Sequence, residues 1–235
     1  MKEKNISPRL LSAADFVRQD AILADIGTDH AYLPLFLLKE GRISRAFCSD
    51  INEGPLASAR ANAEAAGLSD RIEFTLADGA DALSGKGITD YTVCGMGGEL
   101  IADIIARAPD MHKAGVRLIL QPMTRRGELV KYLCSHGFSV ECEAYSKDAG
   151  KHYVTLVVGF SGECLEISEI CAEFGASTTP CQNYEAKIGY LKAKRAVFEK
   201  RARGIGKSKS GGGVDYSAHI AYIDKMIEEA EARKI

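Results

Sequence analysis

The stretch Ala24-Asp25-Ile26-Gly27-Thr28-Asp29-His30-Ala31-Tyr32-Leu33-Pro34 decides how the chain is read. Before it, Ala21-Ile22-Leu23-Ala24 is a short apolar run of the kind that forms a strand buried on both faces. After it, Ala31 to Lys39 has helical spacing. Strand, tight turn and helix in that order put the turn at the carboxyl end of a central strand, where open α/β sheets bind small molecules. The turn carries one glycine and then Thr28, Asp29 and His30, so the further glycines that let backbone close on a pyrophosphate are missing. A carboxylate there repels phosphate, and a cationic or amino-acid-bearing ligand fits better.

Composition sets the outer limits. With 235 residues, 46% hydrophobic and 26% charged, the chain has enough apolar material for a full core and an appendage. A net charge of -2 carries no global nucleic-acid signature, so such a partner must be sought in local patches. The seven cysteines include no CxxC pair, and Cys48, Cys94 and Cys134 are read as buried thiols in a reducing compartment. No metal is expected. Met1-Lys2-Glu3-Lys4 leads into no apolar signal core and no apolar run is long enough to span a bilayer, so a soluble, cytoplasmic protein without a membrane partner is expected.

Outward from the opening stretch, Leu10 to Gln19 reads as an entry helix after Ser7-Pro8. Arg45 to Asp50 is a second strand, and Gly54-Pro55 opens a helix that runs to Ala66 and stops at Gly67. Ile72 to Leu76 is a third strand, ending in Ala77-Asp78-Gly79. Tyr91 to Cys94 is a fourth, ending in Gly95-Met96-Gly97-Gly98 before helical spacing resumes from Glu99 to Ala106. Val116 to Leu120 is a fifth, ending in Gln121-Pro122. This alternation predicts a parallel, doubly wound sheet. Phe138 to Tyr145 and Tyr153 to Val158, joined by the polar Lys147 to Lys151 turn, should pair antiparallel. An α/β fold with a mostly parallel seven-stranded, Rossmann-like sheet finished by an antiparallel hairpin is the class I methyltransferase arrangement.

Beyond Phe160 the apolar strands stop, so residues 1–160 are read as the ligand-binding domain and 161–235 as a helical C-terminal domain. Glu185 to Arg203 and Tyr216 to Lys234 read as helices around a flexible Gly204 to Gly213 loop, with Ile188, Leu191, Ala196 and Phe198 facing Ile220, Ile223 and Ile227. Nine Lys and Arg side chains between Lys187 and Lys209 stand against Glu199 alone. Such a run is commonly a solvated helix face. Next to a ligand-binding domain it also reads as a phosphate-contacting arm.

Asp50 ends the second strand where a carboxylate can accept from both hydroxyls of a ribose, and Ile51 and Asn52 in the same turn are grouped with it. The bland reading of Asp50 is a helix N-terminal carboxylate. Asp78-Gly79 is read as an acceptor for an adenine amino group, or else an ordinary turn pair. Acidic groups at three adjacent strand ends suit S-adenosylmethionine, whose sulfonium and ammonium are positive and which has no phosphate. Asp25, Gly27, Thr28, Asp29, His30, Gly95 and Met96 complete the expected cofactor set.

Asp25 to Pro34, Gly95-Met96-Gly97-Gly98-Glu99-Leu100-Ile101 and Leu118-Ile119-Leu120-Gln121-Pro122 resemble the bacterial tRNA (adenine(22)-N1)-methyltransferases. The resemblance extends to the Gly54-Pro55 helix opening, the Gly150-Lys151-His152-Tyr153 hairpin and the C-terminal helices. Met123 stands where that family usually has Asn, Val154 where it tends to have Glu, and Thr28 replaces Ser while keeping the hydroxyl. The resemblance implies methyl transfer from S-adenosylmethionine to N1 of an adenine in tRNA. Asp29 then either stabilises the charge developing on the base or binds only the methionine part of the cofactor. Gly95 keeps the methyl slot open, Gln121 bonds the Watson-Crick edge and Tyr153 stacks on the base. For tRNA contacts the expected set is Arg9, Tyr32, Arg125, Arg126, Lys194, Arg195, Lys200 and Arg201, on a monomer or weak dimer.

Other chemistries fit less well. An exocyclic-amine methyltransferase normally carries an acidic or Asn-Pro-Pro-aromatic motif after the fourth strand, and Cys94-Gly95-Met96-Gly97 is not that. A pyrimidine C5 enzyme needs a nucleophilic cysteine near the methyl group. Pro180-Cys181 has the dipeptide but lies outside the sheet. A nicotinamide-linked oxidoreductase is disfavoured by the missing glycines. A methyltransferase for another RNA base or a small molecule, and a non-catalytic RNA-binding adaptor, stay open at this level.

Overall fold

Seven strands lie in the order β3-β2-β1-β4-β5-β7-β6. The computed structural model describes residues 6–177, 179, 183–205 and 215–233, without the side chains of 204 and 205. In chain order the elements are α1 (Pro8–Ala14), β1 (Ala21–Ile26), α2 (Tyr32–Lys39), β2 (Ile43–Asp50), α3 (Glu53–Ala65), β3 (Ile72–Leu76), β4 (Asp90–Gly97) and α4 (Gly98–Arg107). They continue with β5 (Arg117–Thr124), α5 (Arg126–Ser135), β6 (Phe138–Asp148), β7 (Lys151–Phe160), α6 (Glu169–Phe174), α7 (Tyr184–Ile205) and α8 (Ser217–Ala232).

The first five strands pair parallel and β7 pairs antiparallel with both β5 and β6. Chain direction around the sheet reverses between β1 and β4, so the crevice beyond their carboxyl ends is where the topology places a ligand. Both faces are covered, which is why the central strands are apolar without alternation. Leu23, Ala46, Cys48 and Ile119 pack with α1, α2 and α3 residues such as Ala13, Leu37 and Ala59. Ala24, Phe47, Leu118 and Leu120 pack on the other side with Ile101, Leu129, Phe174, Leu191 and Ile223. That second cluster is continuous from the sheet into α6, α7 and α8, so the C-terminal helices share the core of the strands.

Several boundaries differ from the sequence reading. The entry helix stops at Ala14 and the chain crosses to β1 through Asp20, whose φ is +60°. The fourth strand continues through Gly95 to Gly97, with its register to β5 broken on both sides of Met96; Gly95 supplies the positive φ of +82° that this irregularity needs. Helices α5 and α6 were not anticipated. The hairpin turn is Ala149-Gly150, both with positive φ, the two-residue geometry that matches strand twist. Helix α7 runs two residues into the stretch read as a loop, and Ala196 is exposed rather than facing α8. Pro180-Cys181, Lys207, Lys209 and the rest of the glycine-rich loop from 206 lie outside the described residues. Among the described residues no disulfide forms, no group of His, Cys, Asp and Glu is arranged to hold a metal, and no helix is long and apolar enough to cross a membrane.

Candidate functional site

The turn after β1 is fixed from both sides. Gly27 turns the chain at φ +71°, and the N–H groups of Gly27 and Thr28 donate to Ser49 O at 2.8 and 3.0 Å. Thr28 Oγ1 donates to Asp25 Oδ2 at 2.6 Å and Thr92 Oγ1 donates to Asp25 Oδ1 at 2.7 Å. Burial pushes the Asp25 carboxyl above its ordinary range, and the two hydroxyls partly offset this. Asp25 and Thr28, the latter 1% exposed, are thereby engaged in holding the turn in shape. Asp29 is the carboxylate that projects, 75% exposed, with His30 Nε2 at 3.1 Å from its Oδ1. His30 and Ala31 both have positive φ, +64° and +54°, and Asn62 Nδ2 donates to His30 O at 3.0 Å to hold the bend. Two successive left-handed residues without glycine cost on the order of 1–3 kcal/mol each, a strain that clusters at functional sites. The imidazole of His30 stacks on Tyr32 with 5.2 Å between ring centres.

Neighbouring strand ends bring the other expected residues to the same crevice. Asp50 is half-buried; its Oδ1 accepts the Asn52 N–H at 2.7 Å, which orients the carboxylate, while Ile51 is 64% exposed. Ser49 Oγ donates to Gly79 O at 2.9 Å, tying the end of β2 to the turn after β3. Asp78 is engaged by both terminal nitrogens of Arg107 at 3.2 Å in an exposed pair. Solvent screens such an exposed pair, so a ligand amino group competes for that carboxylate rather than finding it free. On β4 the side chain of Met96 lies over Gly27: a Cβ added at Gly27 would stand 1.9 Å from Met96 Cε. A Cβ at Gly98 would stand 2.5 Å from the backbone oxygen of Arg125. Gly98 thus lets the turns after β4 and β5 approach backbone to backbone, and Gly95 and Gly97 leave Met96 as the one side chain between them.

Gln121 corrects the sequence reading. It is fully buried, and its Nε2 donates to Arg9 O at 2.9 Å and to Thr155 Oγ1 at 3.0 Å, while its Oε1 accepts from Arg9 Nη1 at 3.3 Å. With both amide hydrogens committed, Gln121 clips α1 across the ends of β5 and β7 and does not present a donor to a base. The guanidinium of Arg9 lies 6.0 Å from the centre of the half-buried Tyr153 ring. Beyond Tyr153 a cleft of about 280 Å³ opens, lined among others by Met123, Arg125, Lys151, Tyr190 and Lys194.

The cations expected to meet tRNA divide into two groups. Arg126 is 3% exposed and paired with Glu143, itself 2% exposed; its Nη1 donates to Ala172 O at 2.6 Å. It is a buried structural ion, not a surface contact. Lys194 Nζ donates to Glu173 at 2.7 Å, and Arg195 binds Asp224 at 2.6 Å and Glu199 at 2.5 Å, so both are already neutralised within the helical region. Arg125 is exposed, with carboxylate oxygens of Glu128 at 2.8 Å and Glu99 at 3.4 Å. Lys200 and Arg201 remain exposed, the latter over the Phe198 ring at 5.5 Å. Sequence reasoning missed Thr92, Asn62, Ser49 and Thr155, single polar residues inside strands and helices whose role depends on a partner 30 or more positions away.

Comparison with known proteins agrees with this geometry. A family model described as a methyltransferase domain matches residues 6–156. The tRNA (adenine(22)-N(1))-methyltransferase of Bacillus subtilis (strain 168) is 35% identical over 202 residues, covering 86% of this chain and 81% of that protein. Streptococcus pneumoniae Sp1610, a candidate tRNA (m1A22) methyltransferase, superposes with a TM-score of 0.76 at 33% identity, covering 97% of this chain and 98% of that one. The same protein in complex with S-adenosyl-L-methionine gives a TM-score of 0.74 over equal coverage. A phosphate-hostile turn at the switch point, acids at the ends of β1, β2 and β3, and this kinship together place the chain in the tRNA (adenine(22)-N(1))-methyltransferase family.

Proposed function

We propose that the chain transfers a methyl group from S-adenosylmethionine to N1 of an adenine in tRNA, position 22 being the site that the name of the Bacillus subtilis relative gives. The observation that carries the reading is the crevice at the ends of β1 to β4: carboxylates at Asp29, Asp50 and Asp78, no phosphate-binding glycine array, and the Gly95 to Gly98 turn with Met96 as its one side chain. The donor set fits the cofactor, since a sulfonium nucleoside offers ribose hydroxyls and positive centres to carboxylates. When bound, S-adenosylmethionine supplies an electrophilic methyl group.

The chain's residues then have separable jobs. Asp50, pre-oriented by the Asn52 N–H, accepts the ribose hydroxyls, with Ile51 against the adenine face. Adenine N1 already has a lone pair, so no strong base is needed, and the enzyme's work is to hold the nitrogen in line with the methyl. Asp29 offsets the positive charge that grows on the base. Because N1 is a Watson-Crick atom the base must be unpaired or turned out of its stack, and Tyr153 and Tyr32 are the rings placed to receive it. Residues 161–235 grip the tRNA backbone, with Lys200 and Arg201 as the exposed cations, while residues 1–160 carry the transfer. In this reading the enzyme works in the cytoplasm, on tRNA, as a monomer or weak dimer.

Unmodified tRNA incubated with a labelled methyl donor, then mapped by reverse-transcription stops, tests the reading. The expected result is label in tRNA and a single stop at an adenine in the D-arm region. Label that enters RNA without blocking reverse transcription would place the methyl off the pairing edge and overturn it.

A further inference from the structure

We propose that Arg9 is a cofactor residue, holding the carboxylate of the amino-acid end of S-adenosylmethionine, and is not a tRNA contact. This deepens the reading above and rests on its cofactor. That ligand carries one anionic group into a crevice whose projecting side chains, Asp29, Asp50 and Asp78, are themselves acids. An uncompensated carboxylate among them is repelled, so a cation must stand at the end of the crevice away from Asp50.

Arg9 stands there. A Cβ added to Gly95, the irregular residue at the end of β4, would lie 3.6 Å from Arg9 Nη1. In the sheet, Ile26 pairs with Val93, so Gly95 lies beside the turn that starts at Gly27. The charge of Arg9 also reaches Asp25 and acts to lower its carboxyl. The imidazole of His30, at the same turn, already faces Asp29 at 3.1 Å.

The guanidinium is held in place before any ligand arrives. Gln121 accepts from Nη1 at 3.3 Å and donates to the main-chain oxygen of the same residue at 2.9 Å, and Thr155 orients Gln121 in turn. Among the described residues Nη1 to Gln121 is the one hydrogen bond of the guanidinium, so its remaining N–H groups suit the two oxygens of a carboxylate. Chemistry at the end of β4 points the same way. Methylation puts positive charge on the base, and a bare guanidinium beside Gly95 would oppose it; a guanidinium neutralised by the cofactor's own carboxylate does not.

The test is calorimetry on the full chain with S-adenosylmethionine and with decarboxylated S-adenosylmethionine, which lacks only the group in question. Arg9→Ala is expected to weaken the intact cofactor roughly 10- to 100-fold, as for a lost charge-assisted pair. It should leave the analogue within about threefold, so the ratio between the ligands collapses. Arg9→Gln, which keeps a donor for Gln121, should collapse the ratio equally, and Arg9→Lys should restore part of it. An unchanged ratio in folded Arg9→Gln, with tRNA affinity lowered instead, would overturn the assignment and return Arg9 to the RNA side. A wild-type protein that binds neither ligand would overturn the cofactor reading itself, a different outcome from a wild type that binds both without discrimination.

Discussion

Glu143→Ala is the substitution whose cost the structure specifies best. Glu143 is 2% exposed and accepts from Arg126 Nη2 through one oxygen and from the Tyr145 hydroxyl through the other at 2.5 Å. Arg126 is 3% exposed, and although burial works against its charge, Glu143 and the neighbouring Tyr190 and Tyr145 raise its pKa. Removing the carboxylate leaves a buried guanidinium that cannot lose its proton without its nearest counter-ion, and its Nε already has no hydrogen-bond partner among the described residues. Breaking one side of a buried pair costs about 3–5 kcal/mol. For a chain of this size each kcal/mol moves the midpoint by about 2–4 °C, so thermal unfolding should fall by roughly 6–20 °C. The double substitution Arg126→Met with Glu143→Leu removes both ions and should recover most of the loss, to within about 2 kcal/mol of the parent, because well-packed apolar replacements of buried pairs are often near neutral. Urea denaturation followed by circular dichroism, in all three proteins, measures both steps. A single substitution costing under about 1 kcal/mol, or a double costing as much as the single, would refute the account.

The other predictions concern separate regions. Gly98→Ala should cost about 1–3 kcal/mol and lower turnover, because its Cβ meets backbone oxygens of Arg125 at 2.5 Å and Thr124 at 3.0 Å, so two turns must part; wild-type stability and turnover would contradict the close approach. Replacing Lys200 and Arg201 with Ala should reduce the salt dependence of tRNA binding by a log-log slope of about 1–2, whereas Arg195→Ala, already paired with Asp224, should leave it nearly unchanged. Filter binding across a salt series distinguishes these. His152 has a pKa lowered first by burial and then by Lys147, and its buried Nδ1 has no hydrogen-bond partner among the described residues. The unfolded chain takes up the proton more readily, so this contribution to stability is complete above about pH 6.5 and is lost as pH falls towards the folded pKa. His152→Asn should flatten that acid limb in urea midpoints measured from pH 8 to 5.5, and parallel limbs would argue against it.

Much of the fold is legible because its strands are buried on both faces. Ala21 to Ala24 and Leu118 to Leu120 announce themselves as apolar runs, the edge strand Ile72 to Leu76 is marked by its β-branched and aromatic residues instead, and the turns after the first three strands carry the acids that define the crevice. Helix α5 went unread although Leu129, Val130, Leu133 and Cys134 repeat at helical intervals, because Gly127 near its start weakens the local signal. The six-residue α6 is too short to show a period. Charge misled for a different reason. The basic run of α7 looks unopposed along its own helix, yet Lys192, Lys194 and Arg195 find Glu231, Glu173 and Asp224 on α8 and α6. Arg126 and Glu143 are likewise ordinary surface residues in composition, and only the meeting of α5 with β6 buries them. Gln121 belongs with these: a polar residue at a strand end invites a ligand role, and the α1 backbone that occupies it is 112 positions away.

The position of β7 between β5 and β6 has a consequence for how the polypeptide leaves the ribosome. Until residues 151–160 emerge, β5 presents a long unpaired edge whose Leu118 and Leu120 belong to the main core, and β6 has no neighbour to pair with. The amino-terminal helix waits as well, because Gln121, which fastens it, is oriented by Thr155 on that same late strand. Completion of the sheet is thus delayed until two thirds of the chain has been synthesised, and nascent chains arrested shortly before residue 151 should be the ones that recruit chaperones or aggregate.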